Sequence, residues 1–136
     1  MIRKSLTSLS SLQYLSDLAD RCAAVDGYPV KLYWNFIETR RYDANAFDYL
    51  YVISPEHPIK PVALLSAYSF QDGVEITAMV DPDFRGQGIF KQLMERVQND
   101  LRRYDVKSYL LICHAKAITL NERCAALGAT LEHSEI

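Results

Sequence analysis

The segment from Met79 to Met94, Met-Val-Asp-Pro-Asp-Phe-Arg-Gly-Gln-Gly-Ile-Phe-Lys-Gln-Leu-Met, constrains the fold more than any other part of the chain. An apolar strand pattern ends at Pro82, a helical pattern follows, and Arg85, Gly86, Gln87 and Gly88 form the loop between them. A helix that opens out of such a loop has about four unpaired backbone N–H groups and roughly half a positive charge at its start. A phosphate can be held there without a dedicated lysine. No Gly-Lys-Ser/Thr follows, which excludes a P-loop. A tight strand-to-helix connection with no ligand is the competing reading.

The rest of the chain arranges itself around this junction. From Ser8, the residues Leu12, Leu15, Leu18, Ala19, Cys22 and Val25 recur at helical spacing, and Asp26-Gly27 with Pro29 stops the helix. A second helix is expected from Val30 to about Arg40, burying Tyr33, Trp34 and Ile37. Ile2 to Leu6 reads as a short edge strand. Phe47 to Ser54 and Pro61 to Phe70 form a hairpin around Pro55-Glu56-His57-Pro58, and Gln71-Asp72-Gly73 turns into a third strand, Val74 to Val80. After the loop, Phe90, Leu93, Met94, Val97 and Leu101 mark the apolar face of a helix that ends near Arg103 or Tyr104. Lys107 to His114 is expected to be a strand, Ala115 to Leu127 a helix capped by Gly128, and Ala129 to Ile136 a final strand. The strand, helix, strand passage across residues 74 to 114 requires a crossover, so its two strands are parallel neighbours. The fold class is therefore mixed α/β: an antiparallel meander, then a parallel crossover pair, with helices on both faces.

Length and charge limit what such a domain does. The 136 residues suit a single domain with one core. A net charge of -2 and a pI near 5.9 lack the basic footprint of a nucleic-acid binder. No stretch has the length of a membrane span or the pattern of a signal peptide, so a cytoplasmic protein is expected. Cys22, Cys113 and Cys124 are widely spaced, with no Cys-x-x-Cys pair, and suggest reduced thiols rather than a metal site or disulfide framework.

The junction resembles that of the GNAT superfamily of N-acetyltransferases, which use acetyl-coenzyme A. Val80, Pro82, Arg85 and Gly88 match the family's pattern in type and spacing, and the order of elements fits most of the chain. Phe90 stands where the family has glycine or alanine. The resemblance implies that backbone N–H groups from Arg85 through Gly86, Gln87, Gly88, Ile89 and Phe90 to Lys91 hold the coenzyme A pyrophosphate. It also implies that backbone groups at Met79 and Val80 pair with the pantetheine arm, and that one N–H receives the developing oxyanion. If Phe90 turns into the helix–sheet core, the loop is preserved; if it points at the ligand, it is not.

The implied chemistry is direct attack of a primary amine on the thioester in a ternary complex, which requires two proton transfers. An alkylammonium with pKa near 10.4 needs a base. Glu75 resembles the family's glutamate in location, one residue closer to Arg85 than expected, a shift that turns a strand residue to the other face. His114, at a strand end, is the second candidate, and a hydrogen-bonded structural histidine is its alternative. The family's tyrosine acid, four residues before the glycine closing the last helix, falls on Cys124, for which a small buried residue is the favoured reading. Tyr33, Trp34 and Phe36 are candidates for an acceptor pocket, although aromatic residues at helical spacing are usually core. The alternative function is a non-catalytic acyl-coenzyme A binding or regulatory domain, possibly half of a tandem protein. One terminal strand, where the family has a pair, leaves an edge that a homodimer would cover.

Overall fold

β-branched and aromatic residues alternating with small ones in the middle of the sequence produce strands whose two faces bury different helices. The computed structural model describes residues 1–56 and 58–112. Its strands are β1 (Ile2–Lys4), β2 (Asp48–Val52), β3 (Pro61–Phe70), β4 (Gly73–Val80) and β5 (Tyr109–Leu111), in the spatial order β1-β2-β3-β4-β5. All neighbours are antiparallel except β4 and β5, which are parallel. The helices are α1 (Gln13–Asp26), α2 (Trp34–Arg40) and α3 (Ile89–Asp100), and a single 3-10 turn covers Pro82–Phe84. This is the mixed α/β architecture expected from the sequence, with the crossover running through α3 as parallel strands require.

Two cores flank the sheet. On one face Phe90, Leu93, Met94 and Val97 of α3 pack against Tyr49, Leu65 and Ile76. On the other Leu15, Leu18 and Cys22 of α1 and Ile37 of α2 pack against Leu50, Leu64 and Met79. All five residues expected on the apolar face of α3, Leu101 just beyond its end included, are buried.

Some boundaries differ from expectation, for local reasons. The α1 helix starts at Gln13 rather than Ser8 because the Ser11 hydroxyl accepts the Gln13 N–H at 3.1 Å and holds the chain in a turn. Val25 is 66% exposed, so the buried stripe of α1 ends one turn earlier than the periodicity suggests. The α2 helix starts at Trp34 rather than Val30; Tyr33 is non-helical, with φ -96° and ψ 81°, and Trp34 faces outward. The α3 helix ends at Asp100, and a turn closed by Tyr104 N–H to Leu101 O at 3.0 Å carries the chain away. The expected helix Ala115 to Leu127, its cap Gly128, the last strand, and with them Cys113, His114 and Cys124 lie outside the described residues.

The α3 face carries one buried polar tie. Tyr49 is fully buried, and its hydroxyl donates to Asp100 Oδ2 at 2.9 Å, an oxygen that also accepts from Arg96 Nε at 3.0 Å. Burial and this neighbouring carboxylate push the Tyr49 phenol well above its ordinary range, so it remains a donor. Tyr49→Phe keeps the packing and removes the bond; it is expected to cost roughly 1–3 kcal/mol. A lowered urea midpoint with an unchanged m-value is the check.

Candidate functional site

The junction singled out by the sequence sits at the end of β4 and is assembled from long-range contacts. Asp81 caps the 3-10 turn by accepting the Asp83 N–H at 3.0 Å, and Pro82 occupies the first position of that turn. Gly86 and Gly88 have φ of +79° and +78°, a region side-chain-bearing residues avoid. With no side-chain cap at Gly88, the first bond of α3 is from Gln92 N–H to Gly88 O. The N–H groups of Ile89, Phe90 and Lys91 therefore have no partner within the helix. Such a donor set fits an oxygen anion, and a pyrophosphate matches both its N–H groups and the positive end of the helix.

Phe90 is 8% exposed and packed in the core between α3 and the sheet. Its ring points away from the side on which the N–H groups open, so the large side chain leaves the loop intact. Ile89 is buried beside it, while Gln87 and Lys91 are exposed.

Arg85 has a role the sequence did not reveal. Its guanidinium makes a two-pronged ion pair with Asp26 at the end of α1, Nη1 to Oδ1 at 2.6 Å and Nη2 to Oδ2 at 2.9 Å. Its Nε donates to Val80 O at 3.0 Å, and its own N–H lies 3.5 Å from Pro82 O. One turn earlier on α1, Arg21 binds Asp81 Oδ2 at 2.6 Å, and the Cys22 thiol donates to Val80 O at 3.4 Å. Burial pushes the Cys22 thiol up, which keeps that donor protonated. The last turns of α1 thus clasp both sides of the strand end. Arg21, Asp26 and Asp81 were not singled out by the sequence. Asp81, an Asp directly before Pro, carried the local signal of a cap, and Asp26 only that of a helix end.

The second half of the site lies at the other end of β4. Register between β3 and β4 is unbroken from Ala63↔Val80 to Phe70↔Gly73. Alternation therefore puts Val74, Ile76, Ala78 and Val80 on the α3 face, and Glu75, Thr77 and Met79 on the α1 and α2 face. Glu75 lines a cavity of about 620 Å³ whose walls include Tyr33, Phe36, Arg40, Asp43 and Tyr68. Its carboxylate Oε2 accepts the Tyr33 hydroxyl at 2.9 Å. Tyr33 stands edge-on to Tyr68, with ring centroids 5.1 Å apart, and to Phe36 at 5.8 Å. Of the three aromatic residues considered for an acceptor pocket, Tyr33 and Phe36 line the cavity, whereas Trp34 does not.

Charge in the cavity is uneven. Arg40 donates through Nε to buried Asp48 at 3.1 Å and through Nη1 to Ala67 O at 3.1 Å, and it stacks over the Tyr68 ring at 4.6 Å. Burial pushes the Asp48 carboxyl up, against the opposing pull of Arg40. With Arg40 engaged in this way, Glu75 and Asp43 leave the lining attractive to a cation.

The two halves are joined by β4 itself. The described parallel ladder with β5 pairs Val74, Glu75 and Ile76, ending with Ile112 N–H to Ile76 O at 2.9 Å. Met79 and Val80 lie between that end and the glycine loop. Among the described residues no cluster of metal-ligating side chains occurs, and no helix is long and apolar enough to cross a membrane.

A family model described as Acetyltransferase (GNAT) family matches residues 12–125. Among curated proteins no match was found. The ribosomal-protein-S18-alanine N-acetyltransferase of Escherichia coli has a similar fold, with a TM-score of 0.67 at 19% identity over 96% of this chain and 79% of that one. Arabidopsis thaliana NAA60, solved in complex with acetyl-CoA, gives 0.65 at 13% identity over 98% of this chain and 85% of that one. A GNAT-family acetyltransferase from Staphylococcus aureus gives 0.66 at 12% identity over 94% and 82%. At these identities the likeness is one of fold.

The orientation of Phe90 separates stability from binding. Phe90→Leu is expected to cost about 1 kcal/mol of folding stability through imperfect repacking. If the loop holds coenzyme A, the folded variant should bind it within about threefold of the parent, since a threefold change is under 1 kcal/mol. Denaturant melts paired with calorimetric titration measure the two separately.

Proposed function

Because the chain belongs to the acetyltransferase (GNAT) family, we propose that it transfers an acetyl group from acetyl-coenzyme A to a primary amine by direct attack in a ternary complex. The observation that carries this reading is the arrangement along one strand. An anion-ready helix start lies at one end of β4, and a carboxylate in an aromatic, cation-attracting cavity lies at the other. Acetyl-coenzyme A, when bound, supplies the acetyl group as a thioester.

The chain's own residues then divide the work. The N–H groups from Gly86 to Lys91 hold the pyrophosphate, and the Arg85 guanidinium and side chain of Asp26 keep the loop in its receptive shape. Backbone groups of Met79 and Val80 pair with the pantetheine arm. In the cavity, the rings of Tyr33, Phe36 and Tyr68 hold the alkyl part of the acceptor, while Glu75 attracts its ammonium. Glu75 then takes the amine proton, directly or through one water, so that the nitrogen lone pair is free to attack. His114 and Cys124 remain candidates, by resemblance, for further proton transfer. The Escherichia coli neighbour is named for acetylating an alanine of a ribosomal protein, which makes a peptide N-terminus one acceptor to examine beside small alkyl amines.

Two measurements test this reading. At a hundred times its dissociation constant, coenzyme A should add about 2.7 kcal/mol to folding stability, visible as a raised melting temperature. No shift with coenzyme A or acetyl-coenzyme A removes the cofactor assignment. Thiol release in the presence of amines then separates an enzyme from a binder. Glu75→Gln is expected to lower turnover by at least about 100-fold with little change in coenzyme A affinity, and unchanged turnover removes Glu75 as the base.

A further inference from the structure

We propose that Tyr33 is the proton donor to the departing thiolate and that Glu75 and Tyr33 act as one proton-passing pair; this rests on the reading of Glu75 as base. The pair is defined by a hydrogen bond of 2.9 Å from the Tyr33 hydroxyl to Glu75 Oε2. Tyr33 precedes α2 with its backbone out of helical geometry, and its ring is fixed edge-on against both Phe36 and Tyr68.

The register of β4 brings the reacting atoms to this pair. A pantetheine arm laid along β4 from the glycine loop follows Val80 and Met79, then Ala78 and Thr77. It meets the place where the described ladder joins β4 to β5, at Ile76 and Ile112. From Val80 to Ile76 is about 13 Å at roughly 3.3 Å per residue, a span of the order of an extended pantetheine. Its thioester end would then lie one residue along β4 from Glu75, whose carboxylate holds the Tyr33 hydroxyl.

The proton account of the bond-forming step closes within the pair. As the amine nitrogen forms its bond to the acetyl carbon, its proton passes to the Glu75 carboxylate. When the carbon–sulfur bond breaks, its electron pair leaves on sulfur and takes the phenolic proton of Tyr33. The phenolate is next to the protonated Glu75 carboxyl and recovers a proton along the same hydrogen bond, run in reverse. Both groups return to their starting state; the proton that the ammonium gives up before attack passes through Glu75 to bulk water, and only the second proton, lost as the bond forms, is carried by the pair to the sulfur. Without the phenol, the protonated Glu75 carboxyl would itself have to reach the sulfur; the Tyr33 hydroxyl, held on Glu75 Oε2, extends that reach.

The test compares Tyr33→Phe with the parent on two acetyl donors. With acetyl-coenzyme A, kcat is expected to fall about tenfold or more, with coenzyme A affinity unchanged. With the acetyl thioester of an acidic aryl thiol, whose thiolate leaves without help, the deficit should shrink to within about twofold, because a weakly basic leaving group gains little from an acid. An equal deficit on both donors, or none on either, overturns the proposal. A second readout needs no turnover. In the free protein the Tyr33 phenol, followed by NMR of ring-labelled tyrosine, should titrate lower in Glu75→Gln than in the parent, because a neighbouring carboxylate raises a phenol. Coincident titrations overturn the pair. If Glu75→Gln loses turnover while Tyr33→Phe does not, the base stands and the relay fails. If Glu75→Gln keeps full turnover, the base fails and the relay with it.

Discussion

The alternation of β4 is the constraint on which the rest of the structure depends. It is an inner strand, paired with β3 over its whole length and with β5 over its first part. A slip of one residue would drive Glu75 into the apolar core under α3 and expose Ile76, which is 1% exposed as it stands. Burying an unpaired carboxylate costs several kcal/mol, so the register is set by the same preference that fills the α3 core. Packing and site placement are here one decision. The apolar residues at 74, 76, 78 and 80 that hold α3 against the sheet oblige 75, 77 and 79 to face α1 and α2.

Stability at the end of that strand comes from a different source. The turn after Val80 contains two residues with positive φ and a proline, features that set a shape without anchoring it. The anchor is the end of α1. Paired guanidinium and carboxylate groups there are geometrically selective, since a planar fork meets a planar fork. Each such pair in an exposed setting adds little to global stability. Its effect is local: Arg85 is tied at once to Asp26 and to Val80 O, so the turn and the helix end move as one body. Asp26 also begins the connection to Tyr33, which is itself tied to Glu75. The segment from Gly27 to Tyr33 is thereby pinned at one end to the glycine loop and at the other to the aromatic cavity. Each tie limits how far the two halves of the site can separate.

What the sequence made legible follows from the range of the interactions involved. The face of α3, the hairpins, the stop at Gly27 and the loop at Gly86 and Gly88 are governed by neighbours within a turn or two, and all were readable. So was the inward turn of Phe90, because its helical spacing with Leu93, Met94 and Val97 implies a shared face. The clasp was not, since Asp26 and Arg85 are separated by 59 positions and neither has a local pattern that demands the other. The start of α2 was misplaced for the same reason. Tyr33 gives up helical geometry for a contact 42 positions away, an exchange that propensity does not register. Glu75 is an intermediate case: its distance from Arg85 raised the question of which face it occupies, and only the unbroken register with β3 answers it.

The charge pattern around the loop has a consequence for how an anion is recognised. Asp26, Asp81 and Asp83 stand close to the site, which would repel a phosphate if left unopposed. Arg85 and Arg21 are committed to Asp26 and Asp81, so their positive charge is spent on neutralisation rather than offered to a ligand. What remains for a pyrophosphate is the set of N–H dipoles at the start of α3, together with exposed Lys91. Attraction from oriented dipoles falls off over the first turn of the helix and needs close contact, whereas attraction from free arginines would reach about a Debye length, near 8 Å at physiological salt. Recognition of this kind is short in range and strict in shape. It suits the proposed ligand, whose phosphates would have to be set at one register along β4 for its far end to reach Glu75.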